Sequence, residues 1–142
     1  MREILFRAKA INRDTDREYR TIYKNGDWVY GLITKPYNEE YDFPAEMRNT
    51  DGVTGIEVDY KTIGQYTDLI DSNGRRIFEG DVIQDGNCDY NKYVVEYSTE
   101  RGGFLPFAHG DGCGCCETAT LYDSTCHTVI GNIYDNPELI GG

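Results

Sequence analysis

Along most of the chain apolar and polar residues alternate with a period of two, and hardly anywhere with the helical period of about 3.6. In Arg2-Glu3-Ile4-Leu5-Phe6-Arg7-Ala8-Lys9, the residues Ile4, Phe6 and Ala8 share one face and charge occupies much of the other. Leu5 is the exception, and the segment reads as a half-buried strand. Arg20-Thr21-Ile22-Tyr23-Lys24 and Asp27-Trp28-Val29-Tyr30-Gly31-Leu32 flank Asn25-Gly26. An Asn-Gly pair between such runs predicts a hairpin, because its tight turn needs positive φ at both central residues.

From Pro36 to about Asp51 the pattern fades. Pro36, Pro44, Glu39, Glu40, Asp42 and Glu46 make this stretch look like an acidic, proline-punctuated connector. Alternation returns at Ile56-Glu57-Val58-Asp59. Turns are predicted at Asp71 to Gly74 and at Glu79-Gly80, with short apolar runs between and after them. Further strands are expected at Lys92 to Tyr97, Thr118 to Tyr122 and Thr128 to Tyr134, and His109 to Cys116 is a loop on glycine content. Asn136-Pro137-Glu138-Leu139-Ile140 predicts one helical turn, with Asn136 as its cap and Pro137 at the first position. Strands spaced by roughly 8–12 residues point to a small barrel or rolled sheet. The expected core is Ile4, Phe6, Trp28, Ile63, Leu69, Ile77, Val82, Val94 and Ile133.

Composition narrows the function more than the fold. At 39% hydrophobic and 13% aromatic residues, the chain can bury a core, which argues against disorder. No apolar run reaches the roughly 20 residues of a membrane span, and Met1-Arg2-Glu3-Ile4 lacks the apolar core of a signal peptide. A cytoplasmic protein is therefore expected. The net charge of −11 disfavours nucleic acid and anionic membranes as partners. The twelve tyrosines could stack single-stranded bases, but the basic groove that such binding uses is missing. They serve more readily as core and interface residues.

Several of these segments together, in their order and spacing, resemble the YopX family of phage and prophage proteins. Arg2-Glu3-Ile4-Leu5-Phe6-Arg7-Ala8 looks like the family's opening strand and Trp28-Val29-Tyr30-Gly31 like its second element. Gln65-Tyr66-Thr67-Asp68-Leu69, Asp71-Ser72-Asn73-Gly74 and Ile77-Phe78-Glu79-Gly80-Asp81-Val82-Ile83 follow the central signature. Ile130-Gly131-Asn132-Ile133-Tyr134-Asp135-Asn136-Pro137-Glu138-Leu139 looks like the closing motif. The family pattern usually has Gly where Asp68 stands, and the His109 to Cys116 loop lies outside it. The resemblance implies a mostly β fold: an N-terminal β segment with its connector over residues 1–60, and an SH3-like β-barrel over residues 61–142 that ends in one short helical turn. It also implies phage or prophage origin, an intracellular location and homo-oligomerisation. It implies no activity, cofactor or catalytic residue.

The residues themselves offer few sites. Asp68, Asp71, Glu79 and Asp81 could form a carboxylate cluster for Mg²⁺ or acid–base work, but carboxylates at turns ordinarily cap backbone N–H groups, and that is the reading adopted. The Arg75-Arg76 pair reads as a solvated turn. No Gly-x-Ser-x-Gly, phosphate-binding loop or His-Glu-x-x-His is present. Five cysteines, three within Cys113 to Cys116, make a poor disulfide framework. Cys113 and Cys116 have the Cys-x-x-Cys spacing of a zinc site, and His109 and Cys126 would complete four ligands. The alternative is a glycine-rich loop with thiols kept reduced in cytosol.

Three functions follow: a non-enzymatic oligomeric module that binds a host or phage protein, an acidic decoy occupying a host DNA-binding protein, or an uncharacterised enzyme. The first is the reading adopted.

Overall fold

The first alternating run does form a strand, β1 (Phe6–Lys9), but its inner face is set by Ala8, with Ala10 just beyond the strand. Ile4, expected inside, is 62% exposed. Leu5 and Arg7 on the opposite face are buried as well, so the strand is not half-solvated as its pattern suggests. The structure, a computed structural model, describes residues 3–12, 23–86, 88–108 and 124–140. The chain divides into two compact units, Glu3–Gln65 and Tyr66–Gly142. Both are built from antiparallel strands, and the fold is mostly β.

In the first unit the strands follow the order β4-β3-β2-β1-β5, with β2 (Trp28–Lys35), β3 (Ala45–Asn49), β4 (Ile56–Val58) and β5 (Gly64–Ile70). The Asn25-Gly26 turn is present: Asp27 N donates to the Lys24 carbonyl at 3.0 Å, and Gly26 has φ 92°. Of the two central residues only Gly26 takes positive φ, as at the third position of a type II turn rather than in the expected type I′ geometry. The strand facing β2 is β1, in the register Phe6↔Gly31 to Lys9↔Trp28, while Tyr23 and Lys24 lie outside any strand. Gly26 N donates to the Ala10 carbonyl at 2.8 Å, which ties the turn to β1. Arg20, Thr21 and Ile22 lie outside the described residues.

The acidic connector also holds a strand. In β3, Ala45, Met47 and Asn49 point inward, with Glu46 and Arg48 between them. Met47, Ala8, Ala10, Val29, Ala45, Ile56 and Val58 make the first core, with Phe6 and Ile63 partly buried against it. Beyond β1, Ile11 N donates to the Glu57 carbonyl at 2.9 Å and Ala10 bridges Val58, so the sheet curls over this core. Trp28 is half-buried, its ring lying under Arg7 and Lys9 at 4.7 and 5.4 Å.

In the second unit β5 continues from Tyr66 and pairs with β6 (Arg76–Phe78). A three-stranded sheet places β7 (Asp81–Asp85) between β11 (His127–Asn132) and β8 (Cys88–Val94). The expected strand over Lys92 to Tyr97 is broken at Val95, after which β9 (Glu96–Ser98) pairs with β10 (Gly103–Leu105). Ile77, Ile83, Val95, Phe104, Phe107 and Val129 form this core, with Leu69 against it, and Val82 is fully buried. Val94 and Ile133 are only half-buried. Among the described residues none of these ladders closes on itself. Thr118 to Tyr122 lies outside the described residues.

The helical turn forms at Pro137–Leu139 with Pro137 at its first position. Asn136 stands at the N-cap position, but its side chain makes no capping bond to the turn: the Asn136 Oδ1 instead accepts from Asn132 N at 3.3 Å. That side chain fills the space a Cβ on Gly131 would need, 2.5 Å from Asn136 Oδ1 and 2.8 Å from Leu139 Cδ1.

Asp68 stands at the irregularity in the β5–β6 ladder with φ 69°, a conformation that favours glycine. Asp68→Gly should therefore raise stability by about 0.5–1 kcal/mol. Urea unfolding reads this directly, and a lowered midpoint would mean that the Asp68 side chain contributes more than its backbone costs.

Candidate functional site

The β2–β3 connection begins where Lys35 ends its strand. Pro36 offers no N–H to continue the ladder. The chain then narrows at Asn38 and Phe43, whose backbones exchange hydrogen bonds of 3.0 and 3.1 Å. Between them Glu39-Glu40-Tyr41-Asp42 forms the loop tip. Asn38 Oδ1 accepts from Tyr41 N at 3.1 Å, and Asp42 takes φ 53°. The result is an open concavity of about 780 Å³, lined by Pro36, Tyr37, Glu39, Phe43, Pro44 and Glu46 among others.

Tyr37 anchors its floor. Half-buried against the first core, its ring stacks on Tyr60 with centroids 3.9 Å apart and planes within 9°. The Tyr37 hydroxyl donates to Asp42 Oδ1 at 2.8 Å. That bond, desolvation, and the negative charge of Asp42 push the Tyr37 hydroxyl up to about 12, so it stays protonated at physiological pH. Tyr41 and Phe43 lie outward, 63% and 62% exposed, with ring centroids 5.9 Å apart. Lys35 Nζ is 3.8 Å from Glu46 Oε2 at the rim. The site offers ring faces, proline edges and carboxylates, groups from which binding sites are built.

The sites suggested by the sequence fare differently. His109, Cys113 and Cys116 lie outside the described residues. Cys126 ends a 3₁₀ turn (Ser124–Cys126) and is half-buried, its carbonyl accepting from Gly86 N at 2.8 Å. Among the described residues no group of three or more His, Cys, Asp or Glu side chains is placed to hold a metal ion.

Two carboxylates of the central turns, Asp71 and Asp81, are committed to backbone. Asp71, 2% exposed, accepts at Oδ1 from Asn73 N and Arg75 N and at Oδ2 from Val129 N, each at 2.9 Å. Burial pushes its carboxyl up, but the N–H groups of Val129, Arg75 and Asn73 and the Arg75 charge outweigh burial and hold it below the ordinary value of 3.8. Asp81 Oδ2 accepts from Phe78 N at 2.8 Å. Asp68 is exposed and Glu79 half-buried. The capping reading is the one these bonds bear out for Asp71 and Asp81.

Sequence patterning missed the Lys35–Glu46 concavity because its residues alternate with no period. The signal it does carry is composition: Tyr, Tyr and Phe interleaved with three acids between two prolines.

A family model described as YopX protein matches residues 8–141 of the chain. The chain belongs to the YopX family. In the matched YopX region the structure supplies reasons for particular residues: Asp71 and Asp81 cap turns, Gly131 makes room for Asn136, and Asp68 occupies a backbone conformation that favours glycine. The crystal structure of protein EF1440 from Enterococcus faecalis is similar over 99% of both chains, with a TM-score of 0.52 and 20% identity. At that identity the likeness concerns the fold alone. No curated protein matches the chain. Among the described residues no helix is long and apolar enough to cross a membrane.

Proposed function

We propose that this YopX chain is a non-enzymatic, self-associating binding module of phage or prophage origin, working in the cytoplasm of a host cell on a host or phage protein. Its second unit serves in this reading as an SH3-like rolled scaffold, and the Lys35–Glu46 concavity as the docking face. The observation that carries the reading is the pair Tyr41 and Phe43, 63% and 62% exposed beside a hollow of about 780 Å³. Large exposed rings around a concavity are the residues from which interface hot spots are made. Self-association follows from open sheet edges, which a small β protein must cover.

Immobilised native chain and a Tyr41→Ala/Phe43→Ala variant, exposed to bacterial host lysate at low and high salt, test this. A specific partner should stay on the native chain at both salt concentrations and be lost from the variant, since two aromatic anchors together are worth at least about 2 kcal/mol. Equal retention by both chains would remove the concavity as the docking face. A partner lost from both chains as salt rises would favour the acidic decoy. Sedimentation at micromolar concentration should give a mass above that of one chain.

A further inference from the structure

The chemistry of the Lys35–Glu46 concavity restricts what can dock there, an inference that rests on reading this concavity as the binding face. Its walls are rings and prolines, with Phe43 and its neighbour Tyr41 turned outward. Over the same stretch stand Glu39, Glu40, Asp42 and Glu46 against one lysine, Lys35. That lysine lies beside Glu46, and Asp42 accepts the Tyr37 hydroxyl. Glu39 lines the concavity and is exposed.

Aromatic faces and carboxylates attract the same kind of ligand, a cation, and together they repel phosphate and acidic peptides. A lysine ammonium is a compact and strongly hydrated charge. A guanidinium is planar, weakly hydrated and able to stack on a ring while its edge meets a carboxylate. The chain itself places cations over its rings, Arg7 and Lys9 over Trp28 at 4.7 and 5.4 Å, Arg76 over Tyr66 at 5.7 Å and Lys61 over Tyr60 at 5.9 Å.

The geometry points to an arginine side chain, on an exposed segment of a protein partner, as the group this concavity recognises: the guanidinium stacks on Phe43 and Tyr41 and pairs with Glu39. Tyr37 keeps its proton and its bond to Asp42, so the floor adds no charge of its own.

The probe is acetyl-Gly-Ser-Arg-Ser-Gly-amide, titrated to millimolar concentration into isotopically labelled full-length protein, beside its Lys, Gln and Glu counterparts. The Arg peptide should shift the amide resonances of residues 37–43, Ala45, Glu46 and Tyr60. The Lys peptide should bind more weakly, and the Gln and Glu peptides should leave those resonances in place. Phe43→Leu keeps an apolar side chain but removes the ring, and should weaken Arg-peptide binding roughly two- to fivefold. Glu39→Gln should weaken it by about the same factor. Because both side chains are exposed, neither change should move the unfolding midpoint.

Equal binding of the Arg and Gln peptides, or no shifts over residues 37–43, Ala45 and Glu46, would overturn the inference. If the Tyr41→Ala/Phe43→Ala variant loses its captured partner while the Arg peptide fails to bind, the arginine assignment alone falls. If that variant keeps its partner, the docking face itself is misplaced.

Discussion

Asp71→Ala should destabilise the protein by about 3–5 kcal/mol, a large part of the total stability expected of a small domain. The Asp71 carboxylate accepts from three backbone N–H groups on two segments: Asn73 and Arg75 in its own turn, and Val129 in β11. Ser72 N also donates to the His127 carbonyl at 2.8 Å, so the turn lies along the β11 backbone. Removing the carboxylate leaves Val129 N, which is buried, without its acceptor. The two turn amides are near solvent and can recover water, so most of the loss comes from Val129. Asp71→Asn should cost less, about 2 kcal/mol, because one oxygen remains for the turn while an amide donor faces Val129 N.

The same bonds set a pH dependence. The folded-state pKa of Asp71 lies below its ordinary value of 3.8, so its contribution is fully present above that value. It is lost as pH falls through 3.8 towards the lower folded value. The stability gap between the native chain and Asp71→Ala should accordingly shrink in acid. Urea unfolding at neutral pH and at a series of acidic values checks both statements. A gap that stays constant with pH would mean that Asp71 acts through shape rather than charge.

Gly31→Ala should destabilise the first unit by about 3 kcal/mol or more, at or above the upper end of ordinary overpacking. Gly31 is flanked on both sides, opposite Phe6 of β1 and Asn49 of β3. A Cβ there would collide with the backbone carbonyl of Arg48 and come within 2.8 Å of Asn49 Cα. Backbone in a paired ladder cannot yield as a flexible side chain does, so β3 would have to move away from β2. Asn49 would move with it, and its Oδ1 accepts from Asp51 N and Val53 N at 3.0 and 2.9 Å. The expected result is a lowered unfolding midpoint with amide shifts along β2 and β3. An unchanged midpoint would show that the two strands can separate at little cost.

Some of this was legible in the chain itself. Alternation placed β1, β4 and β11 close to where they form, because each carries β-branched or aromatic residues on at least one face. The turns at Asp71 to Gly74 and at Glu79-Gly80 were readable because their chemistry is local: Asn73 N does reach back to Asp71 Oδ1, two residues away. The ordered set of motifs was enough to name the family. In β3, by contrast, the inward residues are Ala, Met and Asn, which have little strand preference, so a real alternation passed for a connector.

Sequence by itself thus determined the β class, the turn chemistry and the family. The tertiary structure alone decided that β2 pairs with β1 across the Asn25-Gly26 turn, that Ile4 stays outside while Arg7 is buried, and that Asp71 reaches Val129 fifty-eight residues later. It also decided that Tyr37, Phe43 and two prolines gather into one hollow. The reason is the range of the interactions. Turn bonds and strand patterns act between neighbours in the chain, whereas pairing partners, burial and concavities depend on which distant segments meet.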